Sequence, residues 1–333
     1  MTTTVAGDLL ARARGGDKRS IARLLSVVEN DEPGAADAMR ALYPETGRAQ
    51  VIGITGPPGG GKSTLVNRLA GAYRESSARI AVVAVDPSSP FSGGAILGDR
   101  IRMRDRFLDE RLFIRSMASR GHAGGLSRAT VRVVNVLDAL GVGVVLVETV
   151  GVGQEEVDVV RVADTVCLVT VPGLGDDIQA IKAGVLEIAD VIVVNKADRP
   201  GADETARDLA QMLRLGKGRT AWVPPIVRTS AQTGDGLPEL VAAIAKHGAW
   251  SEESGERERR RREAARAEVE SLLREELVRR LAGRVGAGRL DAAVARVADR
   301  AIDPLAHRGD ELTLVPVVRS YTRTAPPVNP SGV

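Results

Sequence analysis

Aromatic side chains are scarce in this chain: phenylalanine, tyrosine and tryptophan together make up 2% of 333 residues. Stacked rings therefore cannot build the interior. Val, Ile, Leu and Ala must fill it, and a hydrophobic content of 44% allows a sizeable core. There is one cysteine, Cys167, so no disulfide framework can form within the chain. Its apolar setting, Thr165-Val166-Cys167-Leu168-Val169, predicts a buried thiol rather than a reactive one. No apolar run reaches the length needed to span a bilayer. The N-terminal stretch around Leu9 and Leu10 is interrupted by Asp8 and Arg12, unlike a secretory h-region. A cytoplasmic protein without a membrane partner is expected. Charge of one sign is also lacking: 46 basic residues face 43 acidic ones, a net of +3. That gives no strong electrostatic case for nucleic acid. The histidines, His122, His247 and His307, are scattered and lack ligand spacing, and no Cys/His cluster exists for nickel or zinc.

What is present is periodic. In the first forty or so residues Ile21, Leu24, Leu25 and Val28 fall on one helical face. The segment from Asp31 to Gly34 breaks that pattern, and a second short helix precedes Pro44. From Gln50 onward short β-rich runs alternate with helical patterns: Val51–Thr55, Ile80–Val85, Leu112–Ile114, Val144–Val147, Thr165–Val171, Val191–Val194 and Ile226–Thr229. Several are almost continuously apolar, as parallel strands covered on both faces must be. The expected fold is α/β, a doubly wound, mostly parallel sheet of the P-loop type with helical extensions at both ends. Ligands of such sheets sit at the carboxyl ends of the strands. After about Trp250 the chain becomes charge-dense, with Arg259-Arg260-Arg261-Arg262 expected to form a solvated helix face. Val269, Leu272, Leu273, Leu277 and Leu281 then mark an apolar stripe that must bury on the core or on another protomer. The division expected is a helical extension over 1–46, a nucleotide-binding domain over 47–248, a helical arm over 249–312 and an irregular tail over 313–333.

The most specific motif is Gly56-Pro57-Pro58-Gly59-Gly60-Gly61-Lys62-Ser63, which fits G-x-x-x-x-G-K-[ST] and lies between a strand and a helix, as the motif requires. Its glycines let backbone amides converge on phosphate oxygens, and the helix start adds its own N–H groups. Lys62 is expected to reach the β- and γ-phosphates, and Ser63, followed by Thr64, to hold Mg²⁺ and the nucleotide. Asn195-Lys196-Ala197-Asp198, at the end of Val191–Val194, is expected to read guanine; the other reading is a helix-capping Asp after a buried strand. The ionised Asp198 can accept both the ring N1–H and the exocyclic amine, whereas adenine presents the opposite polarity. Asn195 and Lys196 would brace the base and the neighbouring loop. A backbone amide of Ser230-Ala231-Gln232 should meet the guanine oxygen. Glu148-Thr149-Val150-Gly151 ends another strand: Glu148 stands where an acidic residue holds Mg²⁺, and the Gly151 amide can meet the γ-phosphate. Val152 follows, so no glutamine stands where small GTPases orient water. Gln154, two positions further, is the nearest candidate, and slow intrinsic hydrolysis is expected. Asp86-Pro87-Ser88-Ser89 and Gly98-Asp99-Arg100 suit a nucleotide-sensing switch in which Asp86 and Asp99 approach the metal. The same residues also suit a turn held by Asp and Ser side chains.

Together these segments resemble the methylmalonyl-CoA mutase-associated GTPase family, the MeaB and ArgK type of P-loop GTPase. Val85 to Ser89 with Gly93 to Arg100 is similar to its first switch, Glu148 to Gln154 to its second, and Gly175 to Gly184 to a third switch peculiar to the family. The likeness covers about residues 5 to 311. It implies a homodimeric GTPase, binding GTP or GDP with Mg²⁺, that assists an adenosylcobalamin-dependent acyl-CoA mutase by gating cofactor loading and protecting the enzyme. It further implies a C-terminal dimerisation arm and a role in hydrolysis for Lys182. The alternative is an ATP-dependent kinase or ATPase of an amino-acid transport system, against which Asn195 to Asp198 argues.

Overall fold

The computed structural model describes residues 2–75, 79–87, 111–119, 128–149, 159–173, 186–215, 221–285 and 287–301. The chain divides into two compact units, Met1–Ala264 and Ala265–Val333.

The first unit opens with α1 (Thr2–Arg14), α2 (Lys18–Glu29) and α3 (Ala35–Leu42). Asp17 caps α2: its carboxylate accepts the Ser20 amide at 2.9 Å, satisfying one of the orphan donors of the first turn. Alternation follows: β1 (Gln50–Thr55), α4 (Lys62–Glu75), β2 (Ile80–Pro87), β3 (Leu112–Ser119), α5 (Arg128–Ala139), β4 (Val144–Thr149), β5 (Thr165–Thr170), β6 (Val191–Val194), α6 (Ala202–Leu215), β7 (Ile226–Arg228) and α7 (Leu237–Glu253). Among the described residues seven strands form one sheet in the order β3-β2-β4-β1-β5-β6-β7. Every pairing is parallel, the doubly wound architecture that the β-rich runs predict.

β3 is longer than its apolar run. Sequence signals stop at Ile114, but the ladder with β2 continues from Ile80↔Leu112 to Pro87↔Ser119. The polar Arg115 and Ser116 hide this extension. Arg115 is not solvated: its guanidinium pairs with Glu29 of α2 and reaches Ser26 Oγ at 3.1 Å. The pair attaches the N-terminal helices to this outer strand.

Strand side chains alternate between two apolar layers. Val51, Ala81, Val83, Val85, Val145 and Val147 face one layer, which also takes Leu24, Leu25 and Val28 of α2, Leu42 of α3 and Leu137 of α5. Ile52, Ile54, Val82, Leu146 and Cys167 face the other, against Leu65 and Leu69 of α4 and Ile244 of α7. Cys167 is fully buried, as its setting predicts, and burial pushes its thiol pKa up. The helical N-terminal segment thus shares the core of the sheet. α8 (Glu256–Val285) starts in the first unit and continues into the second.

The second unit, described by itself, contains the later part of α8 and α9 (Ala287–Ala298). Charged pairs such as Arg266–Glu270 and Arg280–Glu276 line its surface at four-residue spacing. Val269, Leu273, Leu277 and Val278 are exposed by half or more: 55%, 57%, 55% and 66%.

Candidate nucleotide site

The turn between β1 and α4 is shaped by its glycines. At Gly61 φ is +84° and a Cβ would come within 2.5 Å of Asn195 Nδ2. At Gly56 φ is +133° and a Cβ would come within 2.0 Å of Val169 O. Any other residue at either position would both strain the backbone and displace a neighbouring strand or loop. Lys62 lies in this cradle, 6% exposed, and its ammonium donates to Gly56 O at 2.6 Å and Pro57 O at 2.9 Å. Its charge is thus centred on the loop, within reach of an oxyanion placed there. Thr64, one position beyond Ser63, is exposed.

Beside it, Ser63 Oγ donates to Glu148 Oε1 at 2.6 Å. Glu148 is the penultimate residue of β4 and is 5% exposed. A hydroxyl and a buried carboxylate side by side at the start of α4 are hard oxygen donors, the set that Mg²⁺ prefers, so these residues fit the ion. Asp86 is near the end of β2, at the same edge of the sheet; its side chain lies outside what is described. Asp99, Gly151, Gln154 and Lys182, and with them most of the three switch segments, fall outside the described residues altogether.

Asn195 and Lys196, expected from the sequence to brace the neighbouring loop, do meet the P-loop. Asn195 Nδ2 donates to Gly60 O at 2.8 Å, while its Oδ1 accepts the Ala231 amide at 3.0 Å and the Thr229 hydroxyl at 3.2 Å. Lys196 adopts φ +57°, the left-handed region, and its ammonium donates to Gly59 O at 2.7 Å. A left-handed non-glycine residue costs roughly 1–2 kcal/mol, a strain typical of functional turns. Asn195 and Lys196 therefore act as struts between the two loops. Asp198 is exposed; a hydrogen bond from the Ser230 hydroxyl, helped by its own backbone amide, holds its pKa below the usual carboxylate value. It is therefore an exposed, ionised acceptor. Arg68 of α4, which no sequence motif singles out, completes the assembly: Nε donates to Ala231 O at 3.0 Å and Nη2 to Gln232 O at 2.6 Å.

The opposite edge of the sheet holds a second polar cluster that the sequence motifs do not announce. Asp164 precedes β5 and its carboxylate accepts the Val51 amide of β1 at 2.9 Å. Asp190 precedes β6 and accepts the Val166 amide of β5 at 2.9 Å. The two repeat one device: an acidic residue before a strand caps the start of its neighbour. Arg260 clasps Asp190 with two bonds of 2.8 Å, and Arg257 reaches Asp164 at 3.1 Å. The expectation of a solvated arginine face therefore holds for Arg259 and Arg262, paired with Glu256, Glu263 and Glu258 at the surface, and is corrected for Arg260. His247, fully buried, lies between Thr165 Oγ1 at 2.8 Å and Asp190 Oδ1 at 3.2 Å. Both tryptophans of the chain, Trp222 and Trp250, pack on its ring with centroids 5.0 and 5.6 Å away. Burial pushes the Asp190 carboxyl up, but the hydrogen bonds from Arg260 and the nearby His247 ring outweigh it and the net shift is downward. The legible signal is the repeated Asp directly before an apolar strand. Among the described residues no helix is long and apolar enough to cross a membrane.

A parallel sheet with this glycine cradle, a lysine in it and the Asn195 to Asp198 loop strutted onto it defines a P-loop nucleotide-binding protein. The family model described as methylmalonyl-CoA mutase-associated GTPase MeaB matches residues 21–285, and the chain belongs to that family of GTPases. A protein of Pyrococcus abyssi with a provisional GTPase name is 47% identical over 300 residues, 89% of this chain and 93% of the relative. GTPase ArgK of Escherichia coli is 37% identical over 245 residues, 71% of this chain and 73% of the relative. A solved structure, described as a LAO/AO transport system kinase, shares the fold with a TM-score of 0.70 and 24% identity, over 96% of this chain and 98% of that one.

Proposed function

We propose that this GTPase is a nucleotide-gated chaperone of an adenosylcobalamin-dependent acyl-CoA mutase, methylmalonyl-CoA mutase being the first to try, which gates cofactor loading and protects the enzyme from inactivation. The mutase association in the family's description supports the partner. The observation that carries the nucleotide reading is the strutting of Asn195 and Lys196 onto Gly60 and Gly59. It sets an ionised Asp198 beside a phosphate cradle, and that carboxylate complements guanine and opposes adenine.

In this reading Gly56 to Gly61 and Thr64 surround the triphosphate, and Lys62 turns from the carbonyls of Gly56 and Pro57 to phosphate oxygens. Ser63 and Glu148, with Asp86 and Asp99, hold Mg²⁺, whose charge offsets that of the phosphoryl oxygens. Gly151, Gln154 and Lys182 are the candidates to sense or assist hydrolysis. The exposed stripe of Val269, Leu272, Leu273 and Leu277 supports burial against a second copy, giving a homodimer.

The test is capture of the purified mutase by this protein in the GTP, GDP and nucleotide-free states. Binding that depends on the nucleotide is expected. Absence of binding to every acyl-CoA mutase of the source organism in all three states removes the chaperone role. Turnover of ATP as fast as GTP would instead revive the transport-kinase alternative.

A further inference from the structure

The loop Ser230-Ala231-Gln232 offers three backbone amides for the guanine oxygen, and two are engaged within the protein. Ser230 N–H donates to Asp235 O at 2.9 Å, and Ala231 N–H donates to Asn195 Oδ1 at 3.0 Å. The third, Gln232 N–H, belongs to the peptide whose carbonyl is Ala231 O. That carbonyl accepts Arg68 Nε at 3.0 Å. No described peptide is cis, and in a planar trans peptide C=O and N–H point in opposite directions. Holding the carbonyl toward α4 therefore sends the Gln232 amide away from it. The following peptide is held in the same way. Gln232 O accepts Arg68 Nη2 at 2.6 Å, and its N–H, that of Thr233, is directed at Ser230 Oγ, 3.4 Å away.

We infer that Arg68 is a positioning residue for guanine recognition: through the Ala231–Gln232 peptide it aims the Gln232 amide at the 6-oxo oxygen of the base. The inference rests on the guanine reading above but concerns another edge of the base. Asp198 reads the two donors, and the Gln232 amide reads the acceptor. A planar guanidinium suits the task because two of its N–H groups lie in a fixed fork and can hold successive carbonyls at once, which an ammonium cannot do with the same geometry. Donation to Ala231 O also polarises the peptide and strengthens its N–H as a donor.

The experiment is equilibrium binding of full-length wild type, R68M and R68K to GTP, 6-thio-GTP and ITP. Sulfur is a poor acceptor, so 6-thio-GTP weakens the 6-position contact alone; ITP lacks the exocyclic amine read by Asp198. The wild type is expected to prefer GTP over both. R68M should lose about tenfold in GTP affinity while binding 6-thio-GTP as before, so that the GTP to 6-thio-GTP ratio falls towards one and the GTP to ITP ratio remains high. R68K should fall between, and it carries the test if R68M does not fold. An undiminished GTP to 6-thio-GTP ratio in both variants overturns the inference, as do equal losses for all three nucleotides, the mark of a merely structural arginine. A wild type that does not distinguish GTP from ITP overturns the Asp198 reading instead, a failure distinct from that of Arg68.

Discussion

Asp190 and Asp198 flank the same strand, β6, and both carboxyl groups are held below their ordinary pKa, yet they do opposite work. Asp190 is buried, and its oxygens are taken by Arg260, His247 and the Val166 amide. Asp198 is exposed, with a hydroxyl of Ser230 as its neighbour. At the carboxyl edge of the sheet polar groups brace one another mainly through backbone carbonyls and leave the Asp198 carboxylate exposed. At the amino edge three arginines, Arg257, Arg260 and Arg261, and a histidine surround Asp164 and Asp190. A charged cluster whose members satisfy one another is structural, and one that leaves capacity over is where a ligand can bind.

This contrast can be broken or sharpened by substitution. The largest effect is expected from Lys62→Ala: GTP turnover should drop about a hundredfold or more, as when one preorganised charge-stabilising donor is lost, with little change in melting temperature. Asp198→Asn comes next. Exchanging an acceptor for a donor should weaken GTP binding by about a hundredfold and favour xanthosine triphosphate, whose base edge is complementary. Unchanged GTP affinity in a titration would falsify the assignment of Asp198 as base reader.

At the other edge, Arg260→Ala should leave Asp190 buried without its main partner and lower the unfolding free energy by about 3 kcal/mol, while the preference for GTP over ATP stays intact. The same truncation at Arg262, exposed and paired with the exposed Glu258, should cost under about 0.5 kcal/mol. Denaturant midpoints for the two variants give the comparison directly, and equal midpoints would contradict the division between sealed and solvated arginines. The smallest effect concerns pH. Because the folded pKa of Asp190 lies below its unfolded value, the carboxylate contributes stability that is present above about pH 4 and is lost as pH falls through the folded pKa. A melting series from pH 7 to 3 should show this acid limb, flatter in Asp190→Asn than in the wild type.

Much of the nucleotide edge is legible in the amino-acid sequence. The P-loop and the Asn195 to Asp198 run are contiguous stretches in which each residue type has a local chemical reason, and strand-turn-helix periodicity locates them. The strands read from β-rich runs all exist, with β3 extended beyond Ile114 because pairing with β2 and the ion pair of Arg115 with Glu29 outweigh its polar residues. The struts follow in kind from the motif, which assigns Asn195 and Lys196 to bracing the neighbouring loop.

Sequence alone therefore determined the class of fold, the glycine-rich turn with its lysine and the place of the Asn195 to Asp198 run at a strand end, because each depends on residues close together in the chain and on periods of two or about 3.6. Only the tertiary structure decided that Arg68 grips Ala231 and Gln232, that Arg260 seals Asp190 while Arg262 faces water, and that the only two tryptophans close over His247. Those outcomes join groups far apart in sequence, where the backbone path sets the distance and burial makes an unpaired charge too costly to leave.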